Sequence, residues 1–123
     1  MNIDIEVIYT NLEFLLKILL ATFMGAIIGF ERKSRNKEAG IRTHAIVCLA
    51  SALMMIVSKY GFFDVERIDA SRIASQVVTG IGFLGAGLIF IKNNSVNGLT
   101  TAAGVWATAA DTLWTSFSSF TLI

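Results

Sequence analysis

Long apolar stretches alternate with short polar ones along this chain, and their lengths suit helices that cross a lipid bilayer. A helix rises about 1.5 Å per residue, so roughly 20 apolar residues cover a hydrocarbon core of about 30 Å. We therefore expect an all-α protein, in which the 123 residues form a single polytopic transmembrane bundle of about four helices with no soluble domain. The pattern predicts helices over residues 12–30, 40–60, 70–91 and 99–117.

The third apolar stretch is unusual because it is rich in glycine. Glycine costs about 1 kcal/mol relative to alanine inside a helix, but between membrane helices small residues let the backbones approach closely. Arg72 and Gln76 share a helical face with Gly80 and Gly87. We predict that this face contacts protein rather than lipid, and that the helix starts near Asp69, a candidate N-cap. The glycines are Gly80, Gly82, Gly85 and Gly87.

The first apolar stretch carries one pair of opposite charges and a ridge of small residues. Glu13 and Lys17 stand four positions apart with the acid first, which is the favourable order for an ion pair within a helix. Continuing by fours from Lys17 gives Ala21, Gly25 and Gly29. This series predicts a face on which another helix packs.

The polar segment Glu31–Arg42 sets the expected orientation in the membrane. It holds five Lys or Arg residues, and Lys92 adds a sixth on the same predicted side, against three in the connection between the second and third helices. Loops rich in Lys and Arg stay in the cytoplasm. We expect Glu31–Arg42 to be cytoplasmic and the N-terminus to be outside. The acidic start of the chain is unlike a secretory signal peptide, so we expect the first helix to be retained.

The fourth helix is predicted to follow a tight turn. Residues 92–98 end in Asn97-Gly98, a turn signal that predicts an antiparallel pairing of the third and fourth helices. Asp111 then lies well inside the fourth stretch, where a carboxylate costs about 3 kcal/mol on insertion scales. We expect it to be partnered, protonated or close to water, and it is a weak candidate for a metal ligand.

Composition and charge exclude several classes of function. Hydrophobic residues make up 54% of the chain and charged residues 15%, with a net charge of +1, so a basic nucleic-acid-binding surface is not expected. No combination of nucleophile, base and orienting group is recognisable, so we do not expect an enzyme or a cofactor site. His44, Cys48 and Met55 share a helical face, but they spread over three turns and predict a core stripe rather than a metal site.

Four segments in order resemble the membrane domain of the MgtC/SapB family. They are Gly29-Phe-Glu-Arg32, Ala39-Gly-Ile-Arg-Thr-His44, the glycine-rich run Arg72–Gly87 and Gly98-Leu-Thr-Thr-Ala-Ala103. Functional or packing roles are predicted at Glu31, Arg32, Gly40, Arg42, His44, Arg72, Gln76, Gly80, Gly82, Gly85, Gly87, Thr100 and Thr101.

The resemblance implies a bacterial inner-membrane protein connected with growth at low magnesium, acid stress and, in pathogens, virulence. It further implies a regulator that contacts another membrane protein, such as the proton-translocating ATP synthase. A homo-oligomer and a magnesium or cation transporter subunit are the alternatives. A transporter would need an oligomer that gathers several Asp111 carboxylates, because magnesium prefers octahedral oxygen ligands.

The sequence departs from the family pattern in three places. Ala70 stands where the family usually has proline, and Asp111-Thr112 replaces an apolar-glycine step. We also expect the chain to lack the fifth helix and the cytoplasmic C-terminal domain of other members. A truncated remnant without independent function is therefore a further alternative.

Overall fold

In a computed structural model the chain forms helices joined by short turns and one small β-hairpin. The structure describes residues 2–62, 64–67 and 69–118, with side chains described for 4–62, 64–67 and 69–113. The predicted all-α class and the four helices are confirmed within this part of the chain. In order, the elements are α1 Asn2–Ser34, α2 Ile41–Tyr60, α3 Ser71–Leu88, β1 Phe90–Lys92, β2 Ser95–Asn97 and α4 Leu99–Ser118.

The first helix is longer than the apolar pattern predicted. It begins at Asn2 rather than near residue 12, because the first turns contain no glycine or proline and tolerate helical geometry. Thr10 supports this turn by donating a hydrogen bond to the carbonyl of Glu6 at 2.9 Å. At the other end α1 continues to Ser34, so the first part of the predicted polar loop is helical. The helix of 33 residues is about 50 Å long, which exceeds the thickness of a bilayer core.

The connection from α3 to α4 is a β-hairpin, which the apolar pattern did not predict. The third helix ends at Leu88 rather than 91, and the next residues pair as antiparallel strands. Asn93 and Asn94 have φ angles of 54° and 60°, as both central residues of a type I′ turn require. The predicted turn is thus confirmed, but its central residues are Asn93 and Asn94 rather than Asn97 and Gly98. Gly98, with φ 81°, leads into α4, and a Cβ there would collide with the Leu88 carbonyl oxygen.

Helix α2 is the centre of the bundle. It packs against α1 on one side and against α3 and α4 on the other, while α3 and α4 also pack together. The predicted small-residue ridge of α1 is confirmed as the contact with α2: a Cβ on Gly29 would lie 2.5 Å from the Cα of Ile41. A Cβ on Gly25 would lie 2.6 Å from the Cys48 sulfur. The buried residues of α2 are His44, Val47, Cys48, Ser51, Ala52, Met55, Ile56 and Ser58.

The interior of the bundle is partly polar and its exterior is apolar. Thr108 and Thr112 are buried and satisfy their hydroxyls on α4 carbonyl oxygens at 2.7 and 2.8 Å. By contrast, large apolar side chains such as Phe23 and Ile46 are each 65% exposed. This inside-out distribution is typical of helices that pack in lipid. In the described chain, α1 and α2 are the two helices that are long and apolar enough to span a membrane.

The four predicted crossings are therefore supported for only two helices by length and apolar character. Helix α3 does not meet that criterion because it carries Arg72 and Gln76, and α4 does not because it carries several threonines and Asp111. The charged pair predicted in α1 is confirmed, with 2.9 Å between Lys17 Nζ and Glu13 Oε1. Lys17 is only 8% exposed, so it lies against the bundle interior.

The bundle has two distinct ends. The turn between α1 and α2 and the β-hairpin lie at one end, which we call the hairpin end. They are held together there because Leu88 packs against the core cluster that includes Ala39, and Thr101 of α4 bonds to Glu38. The loop between α2 and α3 lies at the opposite end, where Tyr60, the last residue of α2, packs against Phe14 of α1 with 4.9 Å between the ring centroids.

Candidate functional site

A hydrogen bond across the hairpin end joins two of the family-like segments. Thr101 is 1% exposed, and its hydroxyl donates to Glu38 Oε2 at 2.8 Å. This hydrogen bond from Thr101 is the main reason that the pKa of Glu38 lies below its usual range, with the backbone and Lys37 adding to the effect. The carboxylate thus stays charged while it fixes the α1–α2 turn to the first turn of α4.

Arg32 makes a second contact between α1 and α4. Its guanidinium lies over Gly104, where a Cβ would approach the guanidinium atoms to 3.6 Å. The Arg32 Nε is buried and makes no hydrogen bond to the described residues. A Cβ at that distance would make an ordinary van der Waals contact, so Arg32 packs against α4 at Gly104 without requiring a glycine there.

His44 lies beneath this end of the bundle, in the predicted core stripe. It is 1% exposed, and its Nδ1 is 3.0 Å from the carbonyl oxygen of Gly40, the residue that precedes α2. Its Nε2 is buried without a hydrogen-bond partner among the described residues. Cys48 and Met55 are also buried, and the Cys48 sulfur lies 3.2 Å from the hydroxyl oxygen of Thr112. The core-stripe prediction is confirmed.

The glycine face of α3 is not packed in the way the sequence predicted. Of the four glycines of α3, only Gly85 contacts another helix in the described structure, since a Cβ there would lie 3.5 Å from the carbonyl oxygen of Ala102. A Cβ on Gly80, Gly82 or Gly87 would have no described atom within 4 Å. The predicted contact of Gly80 and Gly87 with protein is therefore not made within the described chain, because α3 uses Ile81 and Gly85 for its contact with the core.

The outward side of α3, which we call the open face, keeps the predicted polar pair together. Arg72 and Gln76 are exposed there one helical turn apart, followed by Gly80 and Gly87. Phe83 is 81% exposed between the two glycines. The open face therefore combines a cation, an amide and a large aromatic side chain with gaps on each side of it.

Asp69, the predicted N-cap, lies just before α3, but Ala70 occupies the N-cap position. Its Oδ1 accepts hydrogen bonds from the Ser71 backbone at 2.9 Å and from the Ser71 hydroxyl at 2.5 Å. The bond from the Ser71 hydroxyl, together with that from the backbone, lowers the pKa of Asp69. Asp69 and Ser71 also line an apolar cleft of about 540 Å³ between α2, α3 and α4.

The other predicted site residues are exposed. Glu31 is exposed and pairs with Arg35 at 3.1 Å, while Arg42 and Thr100 are exposed without entering the Glu38–Thr101 contact. Asp111 is exposed on α4, and no group of three His, Cys, Asp or Glu residues in the described chain is arranged to hold a metal ion.

Sequence reasoning missed Glu38 and Gly104 as contact residues. Glu38 carried a weak signal, because it is an acid at the end of a basic segment, immediately before the family-like Ala39-Gly40. Gly104 carried no signal beyond its place in a run of small residues, since nothing in the sequence indicates that it contacts Arg32.

Comparison with known proteins covers most of the chain. The sequence model of the MgtC family matches residues 18–122. The chain is 53% identical over 103 residues to an Escherichia coli protein named "Putative magnesium transporter YhiD", covering 80% of this chain and 48% of that protein. No solved structure matches the chain.

Two further relatives carry the family's names. Protein SapB of Bacillus subtilis is 40% identical over 107 residues, covering 82% of this chain and 46% of that protein. Protein MgtC of Brucella abortus is 43% identical over 90 residues, covering 73% of this chain and 37% of that protein. The chain thus spans about half, or less, of the length of these curated relatives. With its inside-out helical bundle and this match over most of its length, the chain belongs to the MgtC family.

Proposed function

We propose that this chain is a regulatory and interaction domain of a bacterial inner membrane, acting by helix–helix contact with another membrane protein. In this proposal it serves adaptation to low magnesium and acid stress, as the family resemblance implies. The hairpin end, with its basic residues, faces the cytoplasm, and the N-terminus lies outside. The observation that carries the proposal is the open face of α3.

The open face has the shape that a second helix requires. Gly80 and Gly87 leave the α3 backbone accessible, and no described side chain fills the space above them. Small residues at such positions let two helices approach closely enough for extensive van der Waals contact, which is a main source of helix association in lipid. Phe83 offers a large projecting side chain between these gaps. A partner helix can therefore interlock with α3.

The polar residues of the same face supply specificity. Arg72 presents a planar fork of donors that suits a carboxylate, and Gln76 offers both a donor and an acceptor one turn further along. The α3 segment that carries them follows directly after the α2–α3 loop, where headgroups and water moderate the cost of a charge. We infer a partner helix with an acidic residue near that end. The ATP synthase membrane sector is the partner that the family resemblance favours, and a second copy of this chain is the alternative.

Magnesium or cation transport is the second candidate function, and the name of the Escherichia coli relative favours it. Magnesium keeps near-octahedral oxygen coordination, so a pathway needs several carboxylates or carbonyls together. Asp111 would have to be brought together with its equivalents by oligomerisation to provide them. Uptake of magnesium into proteoliposomes that contain the purified chain, abolished by Asp111→Asn, would favour transport over regulation.

Growth at low magnesium tests the regulatory proposal when protein abundance is measured in parallel. Gly80→Leu, Gln76→Leu and Arg72→Lys should leave abundance unchanged and reduce growth, because they alter a surface and not the core. Gly85→Leu is the folding control and should lower abundance, since Gly85 contacts Ala102. If growth falls only in proportion to abundance in all variants, the open face is not a regulatory surface.

A photo-crosslinking residue at Phe83 identifies the partner directly. It should capture one membrane protein in native membranes, and the yield should fall when Gly80→Leu is added. In the matched control the photo-crosslinking residue replaces Val78, which lies on α3 away from the open face. Equal capture from both positions would contradict a specific contact.

A further inference from the structure

The β-hairpin between α3 and α4 exposes apolar side chains that the bundle does not cover. Ile91 is 76% exposed and Val96 is 57% exposed. The hairpin has only two strands, so its outer edges pair with no described strand. Exposed β-branched residues on such a small element leave apolar surface in water unless another surface covers them.

The register of the strands sorts these side chains by face. Ile91 lies opposite Val96, while the flanking pairs are Phe90 with Asn97 and Lys92 with Ser95. Successive residues of a strand point to opposite faces, so Ile91 and Val96 form one face and Lys92 and Ser95 belong to the other. One face of the paired strands therefore carries the apolar pair Ile91 and Val96, and the other carries Lys92, Ser95 and Asn97 together with Phe90.

The hairpin adjoins the basic segment of the chain. Leu88 precedes it and packs against the cluster of Ala39, and Thr101 follows it and bonds to Glu38. Both acids of the basic segment have a partner: Glu31 forms an ion pair with Arg35, and Glu38 accepts a hydrogen bond from Thr101. The exposed cations at this end are Lys33, Arg35, Lys37, Arg42 and Lys92. The hairpin end thus carries a net positive charge beside an apolar face.

We infer that the β-hairpin is an interfacial membrane-binding element for anionic phospholipid. Ile91 and Val96 insert at the boundary between headgroups and acyl chains, while Lys92 and the neighbouring basic side chains contact lipid phosphates. An apolar face next to cations is the combination that interfacial segments use, and each Lys or Arg near an anionic surface adds to binding. This inference does not depend on the regulatory role of α3.

Spin labels on the hairpin test the insertion in proteoliposomes of phosphatidylethanolamine and phosphatidylglycerol. In a Cys48→Ala background, labels are placed by Ile91→Cys and, as the matched control one pair away on the other face, by Ser95→Cys. The Ile91 label should collide more with oxygen and at least threefold less with a water-soluble nickel complex than the Ser95 label. Similar nickel accessibility at both positions would overturn the insertion.

The lipid requirement is tested with the same samples in pure phosphatidylcholine and with Lys92→Gln. Both changes should raise the nickel accessibility of the Ile91 label, and far-UV circular dichroism should show unchanged helix content. An Ile91 label that is equally protected in anionic and neutral lipid would overturn the assignment of an anionic phospholipid. Protection of the Ser95 label together with the Ile91 label would point to strand pairing with a protein, and would also overturn it.

Discussion

The two sets of glycines should respond oppositely to the same substitution. A Cβ on Gly29 would lie 2.5 Å from the Cα of Ile41 and 2.7 Å from the carbonyl oxygen of Gly40. Ordinary contacts need about 3.5–4.0 Å, so α1 and α2 would have to separate by about 1 Å. These are backbone atoms that cannot rotate away. Gly80 has no described atom within 4 Å of such a Cβ.

The expected magnitudes follow from overpacking and helix propensity. Inserting a methyl into a tight contact costs about 1–3 kcal/mol, and the backbone contacts of Gly29 place it near the upper value. Alanine recovers about 1 kcal/mol of helix propensity in each variant. We expect Gly29→Ala to lower the free energy of unfolding by about 2 kcal/mol, and Gly80→Ala to raise it by up to about 1 kcal/mol.

Unfolding in detergent measures this difference. Each purified variant is titrated from dodecylmaltoside into sodium dodecyl sulfate while the far-UV circular dichroism is recorded. Gly25→Ala provides a second packed position, since a Cβ there would lie 2.6 Å from the Cys48 sulfur. If Gly29→Ala unfolds at the same detergent fraction as Gly80→Ala, the distinction between the packed ridge of α1 and the open face of α3 is wrong.

Three other expectations concern the hairpin end. Gly98→Ala should reduce the amount of folded protein, measured by size-exclusion chromatography, because φ is 81° and a Cβ would strike an α3 carbonyl; full recovery would contradict this geometry. Thr101→Val removes the donor that lowers the pKa of Glu38. Because the folded pKa lies below the unfolded one, this contact stabilises above the usual carboxyl value of 4.5 and is lost as pH falls through the lowered value. The variant should therefore lose less stability between pH 7 and pH 3 in thermal melts, and an identical loss would count against the role of this bond. Cysteines replacing Ser34 and Ser95 should both be labelled by an impermeant maleimide only after the cytoplasmic side is opened, and labelling of one alone from outside would refute their placement at one end.

Much of the helical framework could be predicted from the sequence because it depends on local patterns. Apolar stretches of bilayer length located α2 and α4 to within a residue or so, and the small-residue ridge ending in Gly25 and Gly29 located the face that meets α2. The ion pair of Glu13 and Lys17 followed from their spacing alone. These features are determined by residues close together in the chain, so they leave a periodic signal.

The hairpin shows where a local pattern is ambiguous. Ile89-Phe90-Ile91 is an apolar run that suits either a helix or a strand, and periodicity cannot distinguish the two. The strand conformation goes with the turn at Asn93 and Asn94, which adopt positive φ angles and reverse the chain. Asparagine tolerates that conformation, but the sequence gives no certainty that it will be used.

The packing partners were decided by the tertiary structure alone. Small residues mark faces on which helices can approach, and such faces occur on both α1 and α3. Helix α2 packs on the small-residue face of α1, whereas α3 turns Ile81 and Gly85 toward the core and leaves Gly80 exposed. The bond between Glu38 and Thr101 joins residues 63 positions apart. A contact over that separation depends on how whole helices are placed, and helix placement is set by the sum of all packing in the bundle rather than by any local spacing.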